Sequence, residues 1–313
     1  MFYRMNTLSM YNPFGAPVFY QEAVTSTMDE ARSFTGANHG TVIAAGKQSS
    51  ARGRSGRLWQ ERRGESLSFT VMLQYGTVEA IPRCLTLRAG LAVALAIEKF
   101  TADFTAGLMA DFSANFTAFA CELQKPPLTG KVLVKWPNDV MLLDKDGMGR
   151  KAAGILTEAE GGNVFIGMGI NIAQMSFPPE LAQKARSIAQ ALSETAWQKN
   201  ASNKARRDND AIAALLAGRR FVLLEMILSR LYSELETPAG ASDWRNRLEE
   251  KLYMKCKRIC FIPGLPEELA GGSSPAVEGI LQGIGESGEI RITLDAGETV
   301  SFAAGELKLR FAY

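Results

Sequence analysis

Apolar and polar positions change their rhythm several times along the chain, and each change marks an element. IPRCLTLRAGLAVALAIEKF, residues 81–100, is nearly continuous in apolar residues and long enough for several helical turns. Arg83, Arg88, Glu98 and Lys99 interrupt it, so it reads as a core helix and not as a membrane span. LLAGRRFVLLEMILSRLYSEL repeats apolar residues at i, i+3, i+4 and i+7, the stripe of a helix packed on one face. Residues 178–250 as a whole read as mostly helical.

Shorter runs read as strands. TVIAAGKQ (41–48) is a buried strand, ESLSFTVMLQ alternates as a strand does, and KVLVKW and NVFIGMGINIA follow the same habit. NDVMLLDKDGMGRKAAGILTEAE predicts a hairpin turning at Asp146-Gly147. PVFYQEAVTST predicts a strand leading into a helix, with Ser26 or Thr27 as cap and Asp29 and Glu30 in its first turn. Several successive strands with helices before and after them predict a mixed sheet of the α+β class. Beyond residue 252, KRICFIPG, VEGILQGIG, EIRITLD, ETVSFAAGE and LKLRFAY are strand-like runs between glycine turns, predicting a small β-barrel of about 60 residues. The expected division is therefore 1–250 and 251–313. Residues 101–130, rich in Ala, Phe and Thr and ending in KPPLTG, read as an insertion of one helix and a loop.

Composition narrows the classes of function. Of 313 residues 46% are hydrophobic and 22% charged, as in ordinary globular chains. The 35 basic and 33 acidic residues leave +2, which argues against a surface devoted to nucleic acid or acidic membrane. No apolar run reaches the ~20 residues of a transmembrane helix, and the N-terminal stretch lacks the pattern of a signal peptide. Cys84, Cys121, Cys256 and Cys260 are expected to be reduced and mostly buried, as in a cytoplasmic protein. One histidine, His39, stands before Gly40 in a turn, and alone it cannot build a multi-histidine metal site.

Against this neutral background QSSARGRSGRLW (48–59) is conspicuous. Arg52, Arg54 and Arg57 alternate with Gly53 and Gly56, giving planar donor forks on a backbone free to approach a ligand. An exposed basic loop and a loop closing over an anion both account for it. An RNA-binding reading lacks interleaved aromatics. KVLVKWPNDV sets Lys135, Asn138 and Asp139 around a proline that breaks the strand, so polar side chains can face a cleft. Asp139 could partner a metal or a proton, and Lys151 opens the next strand. Gly167 and Gly169 in GMGINIA mark close approach by a ligand or another strand. No third glycine completes a dinucleotide fingerprint, and no P-loop is present.

In order, TSTMDEA (25–31), QSSARGRSGRLW, KWPNDV (135–140), KAAGILTE (151–158), GMGINIA (167–173) and GELKLR (305–310) resemble the biotin protein ligase family. That resemblance implies a class II synthetase-like biotin/lipoate ligase catalytic domain followed by an SH3-like barrel. It also implies adenylation of biotin by ATP with Mg²⁺, then biotin transfer to a lysine of a biotin carboxyl carrier domain of a carboxylase. The implied biotin contacts are Ser26, Thr27, Met28, Gln48, Arg52, Gly53, Arg54, Trp59, Lys151 and Gly154. Those implied for ATP and the adenylate are Arg54, Arg57, Trp59, Asn138, Lys151 and Asn171. Arg54, Arg57, Lys151 and Asp139 would carry the chemistry, Asp139 assisting magnesium or the incoming lysine.

Three departures from the family pattern stand out. Met28 replaces an asparagine, Ala51 replaces the first glycine of the loop, and KDGMG lengthens the Asp139–Lys151 connection. Too few residues precede Ser26 for the winged helix-turn-helix of bifunctional members, so no operator binding is expected. A monomer or a homodimer fits equally. Two rivals remain: a lipoate or octanoate ligase of the same fold, and a non-catalytic biotin sensor.

Overall fold

The computed structural model describes residues 5–111, 128–196, 203–264 and 275–308. Its first sheet has eight strands in the order β1-β2-β3-β4-β8-β7-β6-β5. These are β1 (Asn6–Leu8), β2 (Val18–Gln21), β3 (Thr41–Ala45), β4 (Ser66–Gln74), β5 (Val132–Lys135), β6 (Asp139–Leu143), β7 (Gly149–Glu160) and β8 (Asn163–Asn171). β2 and β3 run parallel, while the other neighbours are antiparallel, so the sheet is mixed as expected. The central strands β3 and β4 are buried on both faces, which is why they read as continuous apolar runs instead of strict alternation. The β6–β7 hairpin turns at residues 144–148, where Asp144 Oδ1 accepts from the amides of Asp146 and Met148.

Helix α1 (Thr27–Ser33) lies on one face of this sheet, where Met28, Ala31, Ile43, Met72 and Phe165 form a small cluster. The main core lies on the other face. Helix α2 (Leu85–Asp111) packs there against β5, β6 and β7 and against α6 (Arg220–Glu236). Leu91, Val93, Ile97 and Phe100 are buried along it, and Gly90 lets it approach Val134 and Ile155. Helices α3 (Pro179–Ala182), α4 (Ile188–Ala196), α5 (Asn203–Gly218) and α7 (Pro238–Glu250) complete the described helical segments.

Several expectations need correction. The apolar helix runs eleven residues past residue 100, because Phe104 and Leu108 continue its buried stripe into the presumed insertion. The rest of that insertion, 112–127 with Cys121, lies outside the described residues. The long stripe of residues 215–235 is two helices, α5 and α6, parted at Arg219, which is not helical. Ser26 is the N-cap of α1 by backbone geometry but makes no side-chain cap bond. Among the described cysteines Cys260 is buried and Cys84 partly so, but Cys256 is exposed.

The C-terminal strands form a second sheet, antiparallel throughout, in the order β12-β11-β10-β9-β13. They are β9 (Arg258–Pro263), β10 (Val277–Ile284), β11 (Ile290–Thr293), β12 (Thr299–Phe302) and β13 (Gly305–Lys308). The two sheets meet at a small apolar and polar seam. Trp136 is buried edge-on against Phe261 with ring centroids 5.7 Å apart, and its Nε1 donates to Gly288 O at 2.9 Å. Residues 251–253 run beside β5, with Val134 N donating to Lys251 O and Tyr253 N to Val134 O. This seam holds β13 at the end of the first sheet where Lys135 and Asp139 emerge.

Phe261 is fully buried and touches both Trp136 and Phe302. Phe261→Ala is expected to lower stability by about 3–5 kcal/mol, read from the shift in denaturant midpoint. A loss under about 1 kcal/mol would show that the seam contributes little packing.

Candidate active site

The site gathers where the strand ends β5, β6 and β7 meet the arginine loop and β13. A cleft of about 590 Å³ is lined there by Arg54, Arg57, Trp59, Lys135, Asn138, Asp139, Lys151, Asn171 and Glu306, with Phe177, Leu181 and Ala185 on an apolar side. A second pocket, of about 50 Å³, continues inward between α1 and the sheet, lined by Ser26, Thr27, Met28, Gln48, Arg52, Gly53 and Gly154. The two share Gly53, Arg54, Trp59, Asn138 and Lys151. All the residues expected to bind biotin line the inner pocket, and all those expected to bind ATP line the outer one.

Each side chain is placed by a local reason. Gln48 follows β3, and its Oε1 accepts from Thr27 N at 2.8 Å and Thr27 Oγ1 at 3.1 Å. Thr70 Oγ1 on β4 donates to Thr27 Oγ1 at 2.9 Å. Glu61 takes the backbone amide and Nε2 of Gln48 and the hydroxyl of Ser68, fixing the amide's orientation. Ser26 Oγ is fully enclosed with no partner among the described residues, so it presents an unused hydrogen-bonding group to the pocket. Met28 is buried, its Sδ over Gly167, where a Cβ would sit 2.8 Å from the sulfur.

The glycines of β8 therefore admit side chains. Gly167 makes room for Met28, and a Cβ on Gly169 would stand 2.5 Å from Cε2 of Trp59. Side chains, and not the second strand that was one of the alternatives for these glycines, lie against them. The Trp59 indole and Met28 together reduce the inner pocket to space for a few waters. A bicyclic ligand requires the indole to shift.

The arginine loop is closed on itself. Gly53 N donates to Arg57 O at 2.7 Å, Arg57 N to Arg54 O at 3.2 Å and Trp59 N to Ala51 O at 3.0 Å, around a 3₁₀ turn at Arg54–Gly56. Buried Ala51 anchors its base. Arg52 turns back to pair with Asp29 of α1. Arg54 donates to Asn138 Oδ1 at 3.3 Å, and Asn138 is itself fixed by donating to Ile155 O at 3.0 Å. Arg57 reaches across to β13 and binds both oxygens of Glu306, at 3.1 and 2.8 Å.

The cleft is thus strongly cationic with internal counter-charges. Lys151 Nζ lies 2.7 Å from Asp139 Oδ1 and 5.5 Å from the centre of the Trp59 ring. Hydrogen bonding to Arg57 holds the Glu306 carboxyl below its ordinary range, against the opposing effect of burial. Burial lowers the Arg54 pKa, offset in part by Asp139 and Glu306. Burial also lowers that of Lys135, again against the pull of Asp139 and Glu306. Asp139 and Glu306 are the carboxylates in the lining, and no group of three His, Cys, Asp or Glu among the described residues forms a metal cage. His39 lies away from the cleft, between Gln74 and Glu236.

Glu306 and Glu61 were not among the expected site residues. Glu306 stands 249 positions from Arg57, so no local spacing connects them. Glu61 follows the arginine loop by only two residues, but its role depends on the turn that returns it to Gln48. Such an arrangement, two joined spaces flanked by cations and hydrogen-bond acceptors, suits the joining of a small carboxylate to a phosphate ester.

Comparison with known proteins gives a consistent picture. The sequence profile of the biotin/lipoate A/B protein ligase family matches residues 18–174. A biotin--[acetyl-CoA-carboxylase] ligase of Mycobacterium tuberculosis is 30% identical over 281 residues, 88% of this chain and 82% of that protein. The bifunctional ligase/repressor BirA of Bacillus spizizenii is 32% identical over 190 residues, 58% of this chain. In that comparison the match spans about half (48%) of the Bacillus protein's length. Among solved structures, biotin protein ligase from Aquifex aeolicus in complex with biotin and ATP shares the fold at a TM-score of 0.61. It is 22% identical, covering 94% of this chain and 99% of that one.

Two measurements probe this geometry. Gly169→Ala should displace the Trp59 indole and change the tryptophan emission, a change that disappears when Trp59 is also replaced by Phe. An unaltered spectrum would contradict the packing described. Glu306 contributes stability above the unfolded-state carboxylate pKa of about 4.3 and loses it as the pH falls through its lower folded value. Glu306→Gln should therefore be less stable than the parent at neutral pH, with the gap closing in acid. A gap undiminished at the lowest pH would show that the Arg57 pair is not its cause.

Proposed function

The chain belongs to the biotin/lipoate A/B protein ligase family, and on that premise we propose that it is an ATP-dependent biotin protein ligase. It activates biotin as biotinyl-5′-AMP and transfers the biotinyl group to a lysine of a biotin carboxyl carrier domain. The observation that carries this reading is the pair of joined spaces with Arg54 and Lys151 at their junction. The inner pocket offers Ser26, Thr27 and Gln48 to a polar ring and Trp59 to an aliphatic chain. Those hydroxyl and amide groups favour biotin's ureido ring over the dithiolane of lipoate, which accepts almost no hydrogen bonds.

In the first half-reaction a biotin carboxylate oxygen attacks the α-phosphorus of ATP, and the bond to the β-phosphate breaks. Both reactants are anions, so their approach is opposed until cations lie between them. Arg54 and Lys151 supply that charge at the junction, and Arg57 exchanges Glu306 for phosphate. Exchanging Glu306 and Asp139 for ligand anions keeps Arg57 and Lys151 partnered in both states, sparing the partly buried Lys151 an unpaired charge. Trp59, displaced from the inner pocket by biotin, covers the mixed anhydride against water. In the second half-reaction the carrier amine attacks the acyl carbon and AMP departs. Asp139, released by Lys151, is placed to steady the incoming ammonium and take its proton, leaving the neutral amine that attacks.

Magnesium enters this reading with the nucleotide. A single carboxylate, Asp139, together with phosphate oxygens is a donor set that magnesium accepts readily, and its charge would help neutralise the polyphosphate. Asn138 and Asn171 are assigned to the adenylate, with Phe177, Leu181 and Ala185 offering the apolar side for a purine. The reading also takes residues 1–250 as the catalytic domain and 251–313 as an SH3-like barrel that contributes Glu306. A cytoplasmic location and a monomer or homodimer belong to it as well. Of the Bacillus relative's two named activities, only the ligase one is carried over.

Purified protein with biotin, Mg-ATP and a carrier domain should add one biotinyl group to the carrier, seen by mass spectrometry. Support of ATP–pyrophosphate exchange by lipoate and not by biotin would overturn the assignment. Arg54→Gly should loosen the adenylate, so that lysines of bystander proteins become labelled. Undiminished selectivity in that variant would contradict the role given to the loop.

A further inference from the structure

Along β4, Ser66, Ser68 and Thr70 recur at every second position and are buried, so three hydroxyls share one face of an otherwise apolar strand. Hydroxyls withdrawn from water need partners. Two of them support the inner pocket from behind. Ser68 Oγ donates to the Glu61 carboxylate, and Thr70 Oγ1 donates to Thr27 Oγ1 at 2.9 Å. Gln48 joins these two contacts. Its N and Nε2 donate to Glu61, and its Oε1 accepts from Thr27 N and Thr27 Oγ1.

The sense of each bond is forced. Thr27 N can only donate, so the Gln48 side-chain oxygen faces it and the Gln48 NH₂ faces Glu61. The Thr27 hydroxyl meets that same oxygen and must give it its single hydrogen. Thr70 must then donate to Thr27. An ionised carboxylate accepts and cannot donate. The donations that start at Thr70 and pass through Thr27 and Gln48 therefore end on Glu61, as does that from Ser68. Glu61 itself lines neither of the two joined spaces.

We infer that Glu61 is a positioning residue: as an acceptor-only terminus it commits Gln48 and Thr27 to one arrangement, which makes the inner pocket specific for a ring carrying N–H beside C=O. The inference rests on the biotin-ligase reading above and adds to it the residue that sets the pocket's polarity. With its hydrogen spent, Thr27 Oγ1 turns only a lone pair to the pocket, an acceptor for N–H. Gln48 Nε2 keeps one hydrogen without a partner among the described residues, and the enclosed Ser26 Oγ can give or take. An acceptor and donors side by side match a cyclic urea, whereas a dithiolane supplies neither half. In Glu61→Gln an NH₂ would stand among three donors that all need an acceptor, so Gln48 and Thr27 would lose their single arrangement.

Glu61→Gln keeps the shape of the side chain and tests this in biotin-dependent ATP–pyrophosphate exchange. Its KM for biotin should rise about tenfold, while kcat and the KM for ATP stay near the parent values. Because Glu61 acts through Gln48, the same change made in a Gln48→Ala background should raise the KM for biotin no further. Calorimetry without nucleotide gives a second readout. The parent should bind biotin much more tightly than biotin methylated on a ureido nitrogen, and Glu61→Gln should narrow that gap; the bulk of the methyl group is common to both proteins. An unchanged KM for biotin, equal rises for biotin and ATP, an undiminished effect in the Gln48→Ala background or an unaltered gap between the two ligands would each overturn the inference. A parent protein that binds no biotin would instead bring down the biotin-ligase reading and this assignment with it.

Discussion

Crowding positive charge into a partly buried cleft is the constraint to which the rest of this structure answers. A guanidinium or ammonium withdrawn from water needs an acceptor or a counter-charge, or its burial is strongly unfavourable. Here the protein supplies its own, Asp139 for Lys151 and the Asn138 amide for Arg54, while Glu306 pairs with Arg57 at the exposed rim. These partners come from two distant parts of the chain, the adjacent Asn138 and Asp139 and the C-terminal Glu306. The eight-stranded sheet delivers Asn138, Asp139 and Lys151 side by side at the ends of β5, β6 and β7, and the C-terminal sheet delivers Glu306.

That arrangement gives the seam between the two sheets a functional meaning. Trp136 anchors Phe261 and Gly288 through its ring and its Nε1, and its neighbour Lys135 faces the cleft. Packing one residue and exposing the next is the ordinary alternation of a strand end. It ties the position of β13, and so of Glu306, to the same segment that holds Lys135. The arginine loop is secured at both ends, by Arg52 to Asp29 and by Arg57 to Glu306. A ligand that takes over the second tie leaves the first intact, so the loop can close further without being released.

Much of this was legible in the sequence. The apolar run at 81–100, the glycine-punctuated strands after residue 252 and the Asp146-Gly147 turn declared their elements through local periodicity. The two clusters around 48–59 and 135–151 announced the cleft because arginine, lysine and carboxylate side chains gathered at strand ends. What stayed hidden was long-range or depended on shape. Helix α2 overran its apparent end because Phe104 and Leu108 kept its buried face, although threonines and alanines diluted the pattern. A break at Arg219 left the apolar stripe across α5 and α6 intact. Glu306 could not be tied to Arg57 without the fold. The glycines of β8 announced close approach but not its source, and the answer was the bulk of Trp59 and Met28.

The central claim is that the cleft's cations trade internal carboxylates for ligand anions. A crystal structure with a non-hydrolysable biotinyl-5′-AMP analogue tests it most directly. The account predicts Arg57 turned from Glu306 to the ligand's phosphate, Lys151 moved from Asp139 to the carboxyl–phosphate link, and Trp59 swung off Gly169. An analogue bound with all three side chains unmoved, or seated away from residues 52–57, would contradict it.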